Sequence, residues 1–159
     1  MRTLASGPIT VGLISDTHGL LRPEALEALR GVNFLVHAGD IGSPDILSRL
    51  SDLAPLTAVR GNNDVADWAA AVPVLNTLLL GTTQIQVVHE LLHLKAGALP
   101  TGTRAVVYGH SHRPSIDVKD GVLYVNPGSA GPRRFKLPVT VALLRILDEK
   151  LDAEIVSVL

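Results

Sequence analysis

Apolar runs of strand length alternate with amphipathic stretches through the first part of the chain. Ile9 to Ser15 (ITVGLIS) is a nearly unbroken aliphatic run, the pattern of a strand buried on both faces. Pro23 to Arg30 (PEALEALR) has a proline suited to a first helical turn and a stop at Gly31, which predicts a helix. Asn33 to His37 is a second strand. Ser43 and Pro44 supply an N-cap and first-turn pair for a helix to about Leu53, and Leu56 to Val59 is a third strand before the turn-rich Gly61-Asn62-Asn63-Asp64.

Beyond Trp68 the pattern becomes mostly β. Leu75 to Leu80 and Gln84 to His89 flank Gly81-Thr82-Thr83 as a hairpin. Arg104 to Tyr108, Ser115 to Val118 and Val122 to Val125 are further strands, with Asp120-Gly121 as the turn between the last two. Val139 to Ile146 and Ala153 to Val158 complete the set. A βαβαβ half followed by a β half predicts an α/β protein of two packed sheets with helices outside. There is no repeat or linker, so residues 1–159 are expected to form one domain.

Composition narrows the picture. The 159 residues are 47% hydrophobic and 18% charged, which excludes disorder. The net charge of -1 gives no indication of nucleic acid or of an anionic membrane as partner. There is no cysteine, which removes disulfides, thiolate metal sites and Cys nucleophiles. The opening apolar stretch is too short for a signal peptide, and no run reaches the length of a membrane span. The expected setting is the cytoplasm.

Candidate chemistry lies at the strand ends. Asp16 and His18 follow the first strand, Asp40 the second and Asn62 the third. His89 ends QIQVVH, and His110 and His112 follow AVVYG. Binding crevices in open α/β sheets lie at the carboxyl ends of the strands, so these loops should converge. The mixture of carboxylate, amide and imidazole is enough for two divalent ions if one carboxylate bridges, and such a pair can clamp the attacking and leaving oxygens of an in-line displacement. A sulfur-free donor set favours manganese, with iron, zinc or nickel as alternatives.

Taken in order, Asp16-x-His18, Gly39-Asp40, Gly61-Asn62-Asn63-Asp64, His89 and Gly109-His110-Ser111-His112 resemble the five blocks of the calcineurin-like metallophosphoesterases. With Asn126-Pro127-Gly128-Ser129, the chain is similar to the small single-domain phosphodiesterase branch of bacteria and archaea. The resemblance implies a four-layer α/β/β/α sandwich of two mixed sheets flanked by helices. It implies Asp16, His18 and His112 on one metal, Asn62, His89 and His110 on the other, Asp40 bridging, and a hydroxide between the ions as nucleophile. It also implies a small phosphate-ester substrate; a homo-oligomer is left open.

Two positions depart from that pattern. Asn63 stands where the family usually has His or Cys. As a candidate catalytic residue it can orient a phosphoryl oxygen but cannot protonate a leaving group, which favours a diester over a monoester. Glu90 stands where the family often has Gly, which raises the question whether that backbone needs glycine.

Rival readings attach to other residues. His89-Glu90-Leu91-Leu92-His93 is a literal H-E-x-x-H, the zinc-peptidase signature, but that motif needs a helix and here it leaves a strand. Its extended form fails at Ala96 and Leu99, and no Glu between Glu90 and Glu149 offers a third ligand. His37 is expected in the core or behind the ligands, His93 at the surface, and Asp64 either behind the ligands or simply in the turn. Arg133 is the candidate for holding substrate phosphate, with Arg134 beside it and Arg60 weaker. The alternative function is a non-catalytic protein-interaction scaffold of the same fold, as in the retromer coat; a complete ligand set argues against it.

Overall fold

The computed structural model describes residues 7–94 and 99–159, so Ala96 and the first six residues lie outside it. Among the described residues, ten strands form two five-stranded mixed sheets. In the first sheet β1 (Ile9–Ile14), β2 (Phe34–His37) and β3 (Leu56–Ala58) run parallel, linked by helices α1 (Pro23–Ala28) and α2 (Pro44–Ser51). β9 (Thr140–Leu147) pairs antiparallel with β1 on its other side, and β10 (Lys150–Ser157) closes the edge. The second sheet has the order β4 (Leu75–Leu80), β5 (Thr83–Val88), β6 (Thr103–Val107), β8 (Val122–Asn126), β7 (Ser115–Lys119).

Side-chain alternation builds two cores. Val11, Leu13, Val36 and Leu144 face Ile85, Val87, Val107 and Val125 between the sheets. From the same strands Ile14, Leu35 and Val141 point outward onto Ala25 and Leu29 of α1 and Ile46 and Leu50 of α2. β1 and β2 are therefore buried on both faces, the reason their sequences read as continuous apolar runs.

The two mixed sheets and their flanking helices are those the resemblance implies, and the helices are modest. α1 stops at Ala28 rather than Arg30, and α2 at Ser51 rather than Leu53. Ser43 takes the N-cap position of α2 in extended conformation but makes no side-chain cap bond. A 3-10 turn over Asp67–Ala71, absent from the hydrophobic pattern, brings Trp68 and Val72 onto the helical core. The β4–β5 loop is Gly81-Thr82, because Thr83 already pairs with Leu80. No helix among the described residues is long and apolar enough to cross a membrane.

Candidate metal centre

β1, β2 and β3 run parallel, so their carboxyl ends, and the loops that follow them, lie at one edge of the first sheet. Those loops are tied crosswise. Asp16 N–H donates to Gly39 O, His18 N–H to Asp40 O and Gly19 N–H to Ile41 O, at 2.9, 2.9 and 2.8 Å. In the second sheet Gly109 N–H ties the two strand ends by donating to His89 O at 3.0 Å, and that sheet joins the first through His110 N–H to Asp16 Oδ2 at 3.2 Å. Asp16, His18, Asp40, His110 and His112 all have positive φ, between 46° and 76°. Left-handed backbone is uncommon for such residues and costs of order 1–3 kcal/mol each, so the strain is concentrated where the side chains converge. Two glycines permit the approach: a Cβ on Gly61 would overlap Asp40, and one on Gly109 would overlap Ser15 and Asp16.

Five of the candidate ligands meet closely. Asp16 Oδ1 lies 3.4 Å from His112 Nε2, 3.8 Å from His18 Nε2 and 3.9 Å from His89 Nε2. Asp40 Oδ2 lies 3.3 Å from His89 Nε2 and 3.6 Å from His18 Nε2, between the two histidines. His18 and His112 present Nε2 to Nε2 at 3.3 Å. Asn62 joins with Oδ1 3.0 Å from His89 Nε2. His110 is the outlier: its ring meets His89 edge-on at 5.2 Å between centroids, but its Nε2 faces Glu90 Oε1 at 3.4 Å.

This donor set fits a cation. His89 Nδ1 is 2.8 Å from the Ala38 carbonyl, which can only accept, so its Nε2 turns a lone pair toward the oxygens of Asn62 and Asp40. Asp16 Oδ1 is buried with no hydrogen-bond partner, as is His112 Nδ1. Lone pairs crowded without a proton among them repel unless a positive charge stands between them. The same carboxylates also favour a proton on His89. Burial lowers the His89 pKa, but Asp40 and Asp16 outweigh it and the net shift is upward. Burial raises the Asp40 carboxyl, yet His89 and both Asn63 donors hold it well below the usual carboxylate range. Two clusters, Asp16 with His18 and His112, and Asp16 with Asp40 and His89, have donor atoms close enough to share an ion.

The supporting residues are now visible. Asn63 is turned into Asp40: its backbone N–H donates to Oδ1 and its Nδ2 to Oδ2, both at 2.9 Å. Asp64 is no simple turn residue, since its carboxylate accepts from the backbone N–H groups of Gly61, Ile41 and Gly42 at 2.9 to 3.0 Å. His37 is fully buried; Gly39 N–H donates to its Nδ1, so Nε2–H donates to Thr17 Oγ1 at 3.0 Å, and Thr17 donates to Ile41 O. Burial lowers the His37 pKa to about 4, which keeps it neutral. Asn126, which the strand pattern passes over, donates to Gly109 O and Ser111 Oγ and fixes the His110–His112 loop. A polar residue closing an apolar strand was its signal.

The H-E-x-x-H reading has no geometry behind it. His89 is buried in the site, Leu91–His93 is a 3-10 turn, and His93 is exposed with Nε2 3.9 Å from Glu90. Glu90 has φ −119° and ψ 129°, extended backbone that needs no glycine. Arg133 and Arg134 stand exposed on the loop before β9, while Arg60 turns away to the Ala69 carbonyl.

Residues 9–149 match the model of the calcineurin-like phosphoesterase superfamily domain. The chain belongs to that family. A relative named a probable metallophosphoesterase from Methanothermobacter thermautotrophicus is 36% identical over 158 residues, covering 92% of this chain and 91% of its own. Among solved structures, an archaeal phosphodiesterase superposes with TM-score 0.75 at 22% identity, covering 93% of this chain and 100% of the other. Vacuolar protein sorting 29 of Cryptosporidium parvum gives 0.74 at 19% identity, covering 94% and 97%. At those identities the likeness is one of fold. As a calcineurin-like phosphoesterase, the chain belongs among metal-dependent phosphoester hydrolases, and its side chains form a cluster suited to a metal.

Proposed function

We propose that this calcineurin-like protein is a two-metal phosphodiesterase acting on a small phosphate ester in the cytoplasm. The observation that carries the reading is the convergence of unpartnered lone pairs on one point, with Asp16 Oδ1 buried and bonded to nothing. In this reading Asp16, His18 and His112 hold one ion, Asn62, His89 and His110 the other, and Asp40 lies between. Both carboxylates meet a histidine from each set, and Asp40 Oδ2 lies nearer to them, 3.6 Å from His18 and 3.3 Å from His89, than Asp16 Oδ1 does at 3.8 and 3.9 Å. Manganese suits the oxygen and imidazole donors. When bound, the ions stabilise charge on the phosphoryl oxygens and activate water.

The chain's own residues set the rest. Asn63 holds Asp40 in place and offers the leaving oxygen no proton, which favours a diester with an acidic leaving group. An archaeal phosphodiesterase of the same fold supports that preference. Arg133 is assigned to the substrate phosphate, supported by its exposed place beside Gly131, where the chain packs against Thr17. The fold likeness to vacuolar protein sorting 29 is the basis of a second reading, an interaction scaffold, for which a full set of converging ligands would have no use.

Hydrolysis of bis(p-nitrophenyl) phosphate with and without added manganese tests the proposal. Manganese-dependent turnover is expected, and Asp40→Asn should reduce it to background while metal content falls for both ions. An Asp40→Asn protein that retains two tightly held ions on elemental analysis would overturn the bridging role. No turnover by the manganese-loaded wild type would favour the scaffold.

A further inference from the structure

Two of the rings at the site are fixed by what surrounds them. His89 is anchored by the Ala38 carbonyl, and His112 is buried. His110 has a side chain 48% exposed, and its backbone bond to Asp16 leaves the ring free to turn. His89 meets that ring edge-on, and the carboxylate beside it is Glu90, whose Oε1 lies 3.4 Å from His110 Nε2.

A neutral imidazole carries one N–H and one lone pair, and a carboxylate can only accept. Glu90 opposite Nε2 therefore selects the tautomer with the proton on Nε2 and the lone pair on Nδ1. We propose that Glu90 is a positioning residue: it takes the His110 Nε2–H bond and so holds Nδ1 ready for the second ion. Histidine ligands commonly donate their other ring N–H to a carboxylate, which fixes the ring and raises its basicity. The role rests on the two-ion reading. It also gives Glu90 a task unrelated to the water-activating one that the H-E-x-x-H spelling suggests.

The test is calorimetric titration of the metal-stripped full chain with manganese, on wild type, Glu90→Ala and Glu90→Gln. Two sites are expected in wild type. Glu90→Ala should weaken one of them by ~10–100-fold and leave the other unchanged. Glu90→Gln keeps an acceptor oxygen and should recover most of the loss. Long-range nitrogen NMR of the metal-free protein supplies a readout independent of metal: an Nε2–H tautomer for His110 in wild type, and a mixture in Glu90→Ala. Unchanged affinities in Glu90→Ala, or an Nδ1–H tautomer in wild type, would overturn the proposal. Wild-type protein that binds fewer than two ions would overturn the two-ion reading itself, which separates the two failures.

Discussion

Around Asp16 and His112 the donors are closed in, with His18 partly exposed beside them, whereas around Asn62, His89 and His110 they are mostly open. Asp16 is 0% and His112 3% exposed, and Ser15 and Ser129 bond the Asp16 segment from either side. On the other side only His89 is buried; Asn62, Asn63 and His110 all reach solvent. The closed half owes its geometry to packing and backbone bonds. The open half depends on single side-chain contacts, Asn63 to Asp40 and Glu90 to His110. Residue types do not foretell this contrast, because each half has two histidines and differs only in Asp16 against Asn62.

The largest effect expected from this contrast is at the open half, in proton delivery. In the proposed reading, Asn63→His supplies an ionisable group that can reach the leaving oxygen once it is released from Asp40, and general acid catalysis contributes ~10²–10⁴ in rate. Alkyl leaving groups should gain most and nitrophenolate least, narrowing the gap between them. A leaving-group series on both proteins reads this as a change of slope against leaving-group pKa, and equal slopes would exclude position 63 from proton delivery.

Next in size is the comparison of one ligand from each half. His112→Ala opens a buried position with no replacement, and turnover should fall by more than the ~10–100-fold that loss of an outer hydrogen-bond partner costs. His110→Ala faces solvent that can supply a substitute donor, so the fall should be smaller and partly reversed by raising manganese. Equal, irreversible losses would erase the distinction between the halves.

The smallest effect concerns His37, behind the closed half. Its pKa is about 4 in the folded protein, against an ordinary value of 6.5. The unfolded chain therefore takes up a proton below 6.5 that the native state refuses, and stability falls with pH between 6.5 and about 4. The loss approaches about 3 kcal/mol across that window, at ~1.4 kcal/mol for each pH unit. Denaturant unfolding of the metal-free protein across the window should show the slope, and His37→Gln should flatten it.

Much of this arrangement was legible in residue order. The strand ends that carry Asp16, Asp40, Asn62 and His89, the parallel βαβαβ half and the Asp120-Gly121 turn all stand in the structure, because each is written in local periodicity or turn chemistry. What escaped is non-local. β9 pairs with β1 across the length of the chain, and nothing in Val139 to Ile146 names its neighbour. The turn before β10 uses Asp148 and Glu149, both at positive φ, where glycine or asparagine would have signalled it; β10 therefore begins at Lys150 rather than Ala153. The left-handed backbone at Asp16, His18, Asp40, His110 and His112 is likewise unannounced by the residue types. Glu90 reads as part of a false motif until its distance to His110 is measured.

The carboxylate of Asp64 gathers three backbone N–H groups from two loops without facing the convergence point, while His37 and Thr17 tie a third loop to them. The entropy of ordering these loops is lost when the chain folds, not when an ion arrives. Ion binding then meets a receptacle already shaped, so most of its free energy appears as added resistance to unfolding that grows with the logarithm of free metal, about 2.7 kcal/mol for one site at a hundredfold excess over its dissociation constant. Resistance to unfolding is thereby expected to follow the concentration of free metal in the surroundings.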